Sequence, residues 1–215
     1  MRDIESFLRF FKKNFKPHPW HGISYGPDAD GFIEVYIEIV PSDTVKYELD
    51  KETGYLKIDR PQKFSNIIPS LYGFIPQTYA STHVAKRAIE VTKRKGLIGD
   101  GDPLDICVLT EKAITHGDIL VKAKPIGGFR MLDQGEVDDK IVAVLKDDPI
   151  FGGISDVSEC PDKILARLKH YFLTYKNIPG EEEHQCEIHD LYGREEANNI
   201  IQLSAKDYEE KFGVN

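Results

Sequence analysis

From Phe32 to Val40 apolar and polar positions alternate, with Ile33, Val35, Ile37 and Ile39 on one side and Glu34, Tyr36 and Glu38 on the other. A period of two predicts a strand with one buried face. Val45, Tyr47 and Leu49 alternate with Lys46, Glu48 and Asp50, and after the turn Lys51-Glu52-Thr53-Gly54 a further strand runs from Tyr55 to Arg60. The two predict a hairpin. The short unbroken run Ile106-Cys107-Val108-Leu109 predicts a buried strand, and Ile119–Pro125 and Lys140–Leu145 are also strand-like. Helical spacing governs the rest. Ile4, Phe7, Leu8, Phe11 and Phe15 mark an amphipathic amino-terminal helix, and Val84, Ala88 and Val91 a stripe within the basic segment 81–98. Cys160-Pro161-Asp162 opens a helix with Ile164, Leu165, Leu168, Phe172 and Tyr175 on its buried side. A last helix, roughly Arg194 to Lys211, turns Ala197, Ile200, Ile201, Ser204 and Tyr208 inward. Six or more short strands followed by two helices predict an α+β fold built on a small antiparallel barrel.

A chain of 215 residues suits one well-buried domain, 1–215, and 40% hydrophobic with 30% charged residues is ordinary globular composition. Apolar runs fall well short of the roughly 20 residues of a membrane span, and Met1–Glu5 lacks the basic start followed by an apolar stretch that marks a signal peptide. Three cysteines without paired spacing argue against a disulfide framework, so a reducing cytoplasm is expected. Two readings exist for the aromatic, basic helix in the amino-terminal extension 1–22: docking onto the core or a neighbouring subunit, which is the commoner fate, or lying on a membrane surface. The histidines of Pro17-His18-Pro19-Trp20-His21-Gly22 lack metal-binding spacing. A net charge of −8 speaks against nucleic acid as partner.

The stretch Gly99 to Thr110, GDGDPLDICVLT, places Asp100, Asp102 and Asp105 within six residues at the mouth of the central strand. Like charges this close raise one another's pKa, and divalent cations are the economical way to keep all three ionised. Hard oxygen ligands suit Mg²⁺, Mn²⁺ or Ca²⁺. Asp and Gly also form turns for backbone reasons alone. A calcium-binding helix–loop–helix is a poor fit, since Leu104 falls where an oxygen ligand is expected and Asp105 replaces the required glycine.

DGDPLD resembles the signature of the soluble family I inorganic pyrophosphatases, and YGFIPQTY (Tyr72–Tyr79) and MLDQGEVDDKIVAV (Met131–Val144) resemble two further motifs of that family in the expected order. The similarity runs from about Phe32 to Lys176. It implies a five-stranded barrel like the oligonucleotide-binding fold, with added hairpin strands, two carboxy-terminal helices and the site at the barrel mouth. By the same resemblance Asp100, Asp105 and Asp138 would hold one Mg²⁺, Asp105 would share a second, Asp133 with Asp138 a third, and Glu38 a fourth; Mn²⁺ could substitute. Asp102 would orient or deprotonate the attacking water, which displaces phosphate in line without a covalent intermediate. Lys46, Arg60, Lys140, Tyr175 and Lys176 would grip phosphate oxygens, Tyr72 would lie near the leaving group, and Glu48 also matches a family site position. Glu34, Glu136 and Asp139 are expected at the surface. Ile68 stands where bacterial members commonly have a second site tyrosine, and Gln134 replaces an acid of some members. Segment 81–98 is an insertion relative to compact bacterial members, either a solvated helix or a phosphate-contacting lid. A homo-oligomer is expected, hexamer favoured over dimer. A metal- or anion-binding protein without turnover would have lost an acid, yet Asp100, Asp102, Asp105, Asp133 and Asp138 are all present. Activity on other phosphoanhydrides stays open.

Overall fold

The computed structural model describes residues 4, 6, 7, 10, 11, 14–63, 66–177, 180 and 185–213. Its elements in chain order are β1 (Ile33–Ile39), β2 (Val45–Leu49), β3 (Leu56–Pro61), β4 (Leu71–Phe74), α1 (Thr82–Thr92), β5 (Ile98–Gly99), β6 (Asp105–Leu109), β7 (Ile119–Asp133), β8 (Glu136–Val137), β9 (Lys140–Leu145), α2 (Asp162–Thr174), β10 (Cys186–Gly193) and α3 (Arg194–Phe212). Strands β1, β4, β6, β9 and β7 are neighbours in that order, and pairing of β1 with β7 closes them into a ring. The pairings are antiparallel except β6 with β9, which run parallel with Asp105 opposite Lys140. Hairpin β2–β3 forms a separate wing.

Alternation explains why the central strands read as unbroken apolar runs. Ile106 and Val108 of β6, with Ile141 and Ala143 of β9, join one core, which takes in Ala197, Ile200 and Ile201 of α3. Cys107, Leu109, Val142 and Val144 point the other way, into a core with Leu165, Leu168 and Phe172 of α2. Both faces of the sheet are therefore covered. The same covering overturns the one-sided reading of β1, because Tyr36 and Glu38 are as buried as their apolar neighbours.

Two further expectations change. The 15 residues of β7 make it far longer than the predicted Ile119–Pro125, because its second half pairs with β10, an edge strand whose mixed sequence gave no periodic signal. Helix α1 keeps Lys86 and Glu90 exposed on one face and buries the other. Val84 and Ala88 pack with Leu97, Leu132 and Val137, and Asp207 of α3 accepts the amides of Ser81, His83 and Val84 at its amino-terminal end. In the amino-terminal segment Ile4, Ser6, Phe7, Phe10, Phe11 and Asn14 are helical, whereas Leu8, Arg9, Lys12 and Lys13 lie outside the described residues. Phe7, Phe10, Phe11 and Phe15 are exposed, and Phe11 stacks on Phe15 with ring centroids 4.7 Å apart, so these rings do not dock onto the chain's own core.

Gly73 sets the approach of β4 to β1. A Cβ there would fall 1.9 Å from the Tyr36 carbonyl oxygen, so any side chain pushes apart the pair that aligns Tyr72 with the strand ends. Gly73→Ala should lower stability by about 2–3 kcal/mol, the upper range for overpacking a tight interior. Thermal and urea unfolding measure this, and a wild-type melting midpoint would sink it.

Candidate active site

The ends of five elements bring the predicted side chains to one mouth of the barrel. Asp105 is the first residue of β6 and Lys140 the first of β9, and the parallel register sets them side by side. Tyr72 of β4 donates its hydroxyl to Asp105 Oδ2 at 2.5 Å. The Lys140 ammonium donates to Asp105 and to Asp138, and lies 5.9 Å from the Tyr72 ring centroid and 5.8 Å from that of Phe172. Within the acidic turn the Asp102 amide donates to Asp100 Oδ1 at 3.0 Å. Lys176, just beyond α2, pairs with Asp133 at the end of β7, and Tyr175 stacks on Tyr171 with centroids 5.0 Å apart.

The β2–β3 wing supplies the opposite wall. Glu38 Oε1 accepts the Leu49 amide at 2.6 Å. Lys46 and Arg60 are opposite one another in the hairpin and share Asp59, at 3.1 and 2.5 Å, while Lys46 also approaches Glu48 at 3.5 Å. Lys51, from the hairpin turn, reaches across to Asp102. Between wing and strand ends lies a cavity of about 80 Å³ walled by Glu38, Lys46, Tyr72, Asp102, Asp105 and the buried Trp20. A wider cleft of about 710 Å³ opens beside Gln134 and Cys186, away from these acids.

Burial sets the electrostatics. Desolvation, then the charges of Asp138 and Asp105, push Asp100 up to about 9. Glu38, almost wholly desolvated, is raised to about 8 despite its bond from Leu49. Burial likewise raises Asp105, against the pull of Lys140. It acts to lower Lys140, but Asp105 and Asp138 outweigh it and hold that ammonium well above its ordinary value. The Tyr72 hydroxyl is raised far, first by desolvation and then by Asp105. These acids are short of positive charge, and Lys140 and Lys51 sit against their oxygens. An all-oxygen donor set in a desolvated mouth fits hard divalent cations.

The acids do not form a closed triad in this state. Among the described residues the one set of three whose ligand atoms lie within 4.8 Å of one another is His83, Asp207 and Glu210, where the start of α1 meets the last turns of α3. There Asp207 caps α1 and His83 Nε2 lies 2.9 Å from Glu210, so those groups already have partners.

Several site features were not expected. Asp139, expected at the surface, is fully buried, because its side chain turns into the sheet face opposite Asp138 and Lys140. Trp20, between the two histidines of the segment 17–22, is 3% exposed and donates its indole N–H to the Thr78 carbonyl at 2.8 Å. Asp59 and Lys51 went unnoticed too; opposite charge beside Arg60, and position in the hairpin turn, were the available signals. Ile68 is packed in the α2-side core, which leaves no hydroxyl at that position. Glu136 is exposed, as expected. Two basic groups of segment 81–98 are engaged away from the mouth: Arg87 pairs with Glu196 and Arg94 with Glu187.

An acid raised in the folded protein keeps its proton where the unfolded chain has lost it. Its contribution is full at low pH and disappears between the ordinary carboxylate range and its folded value. For Glu38 that window ends near 8 and for Asp100 near 9. Chelator-treated protein should therefore melt at progressively lower temperature from pH 5 to 9. Glu38→Gln, which keeps the acceptor for Leu49, should flatten the decline by up to about 1.4 kcal/mol per pH unit. An unchanged slope in that variant would contradict the assignment.

Comparison with known proteins closes the identification. The family model described as inorganic pyrophosphatase matches residues 35–209. Inorganic pyrophosphatase of Chlamydia muridarum is 53% identical over 195 residues, covering 89% of this chain and 93% of that one. Soluble inorganic pyrophosphatase 2 of Chlamydomonas reinhardtii is 39% identical, covering 94% of each. The crystal structure of the Thermus thermophilus inorganic pyrophosphatase superposes with a TM-score of 0.73 at 25% identity, covering 90% of this chain and 99% of that one. That of Helicobacter pylori gives 0.71 at 30%, covering 87% and 98%. With a closed five-stranded barrel bearing a buried acidic mouth, and relatives matched over most of their length, the chain belongs to the inorganic pyrophosphatase family.

Proposed function

We propose that this protein hydrolyses inorganic pyrophosphate to two phosphates, using Mg²⁺ held by the acids of the barrel mouth, with Mn²⁺ as a substitute. The observation that carries the reading is the meeting of Asp105, Asp138, Lys140 and Tyr72 in a desolvated pocket, in a chain of this family. Asp100, Asp105 and Asp138 would hold a first cation, Asp105 would help hold a second, and Asp133 and Glu38 would serve further ions. Cations held there would supply charge neutralisation for the polyanionic substrate and a more acidic attacking water.

The protein's own groups then have separable tasks. Asp102, on the exposed rim of the acidic turn, orients the attacking water and accepts its proton. Lys46 and Arg60, set side by side by the hairpin, hold one phosphoryl group from the wing, with Glu48 and Asp59 fixing them. Tyr175 and Lys176 hold the other from the end of α2. Lys140, once released from Asp105 and Asp138, turns its charge to phosphate oxygen. Tyr72 donates its hydroxyl toward the leaving group; its raised pKa keeps the proton available. Attack is direct and in line, since phosphoryl transfer rests on positioning and charge neutralisation rather than on a covalent intermediate.

A cytoplasmic setting agrees with three free cysteines, and no helix among the described residues is long and apolar enough to cross a membrane. A homo-oligomer, hexamer rather than dimer, would give the exposed amino-terminal phenylalanines a surface to cover. Phosphate release from pyrophosphate with Mg²⁺ titrated from zero tests the central claim. Turnover should require the metal, and Asp102→Asn should reduce kcat by about 10²–10³, the scale of a lost general base. Turnover unaffected by the substitution would discard the role of Asp102, and no turnover at any Mg²⁺ concentration would discard the activity.

A further inference from the structure

Behind the acidic mouth the sheet carries a second charged assembly that the hydrolysis does not use. Arg130, on β7, is 1% exposed. Asp190 of β10 is its cross-strand partner on one side. On the other, the pairs Phe129–Lys140 and Leu132–Val137 keep one register, which sets Asp139 opposite Arg130. The guanidinium donates from Nε to Asp190 Oδ1 at 3.1 Å and from Nη2 to Glu196 Oε1 of α3 at 2.7 Å. Its Nη1 lies 3.9 Å from Asp139 Oδ2, which also accepts the Tyr192 hydroxyl at 3.2 Å. Glu196 in turn takes two bonds of 2.8 Å from Arg87 of the inserted helix α1. An unbroken line of alternating charge runs from the surface of the insertion, through Arg87, Glu196 and Arg130, to Asp139.

Asp139 is the residue between Asp138 and Lys140. Successive side chains alternate across a strand, so anchoring Asp139 on the rear face orients its two neighbours on the front. The last link is slack: Arg130 Nη1 and Asp139 Oδ1 are both buried without a hydrogen-bond partner. The Asp139 side chain is thus held by charge and one tyrosine hydroxyl, while the backbone beside it is tied to β7 by the Asp138 amide, which donates to the Met131 carbonyl at 3.0 Å. A buried ionic cluster of this kind is weak evidence of stability, because apolar residues of similar volume often serve as well. Its position at a ligand-bearing peptide calls for another account.

We propose that Arg130, Asp139 and Glu196 are positioning residues, and that the insertion 81–98, through Arg87, braces the Asp138–Lys140 peptide from behind and so sets the affinity of the mouth for divalent cations. This rests on the function proposed above. It gives the insertion a task at the site without any contact with phosphate.

The test compares wild type with Asp139→Asn, Arg87→Gln and their double variant, after metal removal. Mn²⁺ binding is followed by the electron paramagnetic resonance signal of the free ion, beside melting curves and Mg²⁺ activation of hydrolysis. Asp139→Asn should weaken Mn²⁺ binding by about tenfold, as loss of a ligand's supporting partner does. Arg87→Gln should weaken it by about threefold. The double variant should be little worse than Asp139→Asn, because both cut one line. Activation should need more Mg²⁺, while kcat at saturating Mg²⁺ stays within about threefold of wild type. Variants that melt lower yet bind Mn²⁺ like wild type would reduce the assembly to a structural role and overturn the proposal, as would strictly additive losses. If Asp139→Asn does not fold, Arg87→Gln, whose side chain is 35% exposed, decides alone. Wild-type protein that binds Mn²⁺ but releases no phosphate would sink the function proposed above, and the Mn²⁺ comparison would still decide this one; wild-type protein that binds no Mn²⁺ would overturn both.

Discussion

Carboxylates held out of water at the ends of buried strands are the constraint around which the fold is arranged. β6 and β9 are covered on both faces, so neither has room for a charge along its length, and Asp105 and Lys140 occur at the first residue of each. The parallel pairing of those strands makes the two ends coincide. Desolvation then forces a choice on each acid: hold a proton, find an ammonium, or bind a cation. Asp100 and Glu38 are pushed toward the first, and Asp105 and Asp138 share Lys140. The third choice suits a polyanionic substrate, whose approach to a chain of net charge −8 would otherwise be opposed.

The long β7 divides the molecule into a reacting side and a supporting side. Its front face joins the α2 core beneath the mouth through Phe129 and Met131. Its rear face carries Arg130 toward α3 and α1. Gly128 makes the arrangement feasible, since a Cβ there would fall 2.6 Å from the Tyr192 ring that Arg130 overlies at 5.1 Å and whose hydroxyl reaches Asp139. Segment 81–98 packs on α3 and on Leu132 and Val137, and it runs directly into the acidic turn, where the Ala80 amide donates to the Asp102 carbonyl at 2.8 Å, so it adjoins the mouth at the turn as well as through the sheet.

Much of this was legible in the chain. The alternation of β1, β2 and β3, the apolar run of β6 and the two helical stripes of α2 and α3 mark these elements through side-chain periodicity and apolar content, which are local properties of the chain. The acidic turn announced itself because three carboxylates in six residues are difficult to keep ionised without cations. Glu38 was harder. Periodicity placed it on a polar face, and the wing that buries that face comes from residues whose docking has no local signature.

Tertiary structure decided the rest, for reasons of distance. Asp139 and Asp138 are indistinguishable as neighbouring acids in a turn, and the strand register alone sends one to the mouth and the other to Arg130. Lys51 meets Asp102, and Arg87 meets Glu196, across separations of 51 and 109 residues. The burial of Trp20 has no local signal, because it is provided by Tyr79 and Tyr208. The sequence by itself determined which strands and helices form and that a cluster of acids needs cations, since both follow from near neighbours along the chain. Which acid faces the mouth, which faces arginine and what stands behind them depended on contacts between segments remote in sequence, which only the closed barrel brings together.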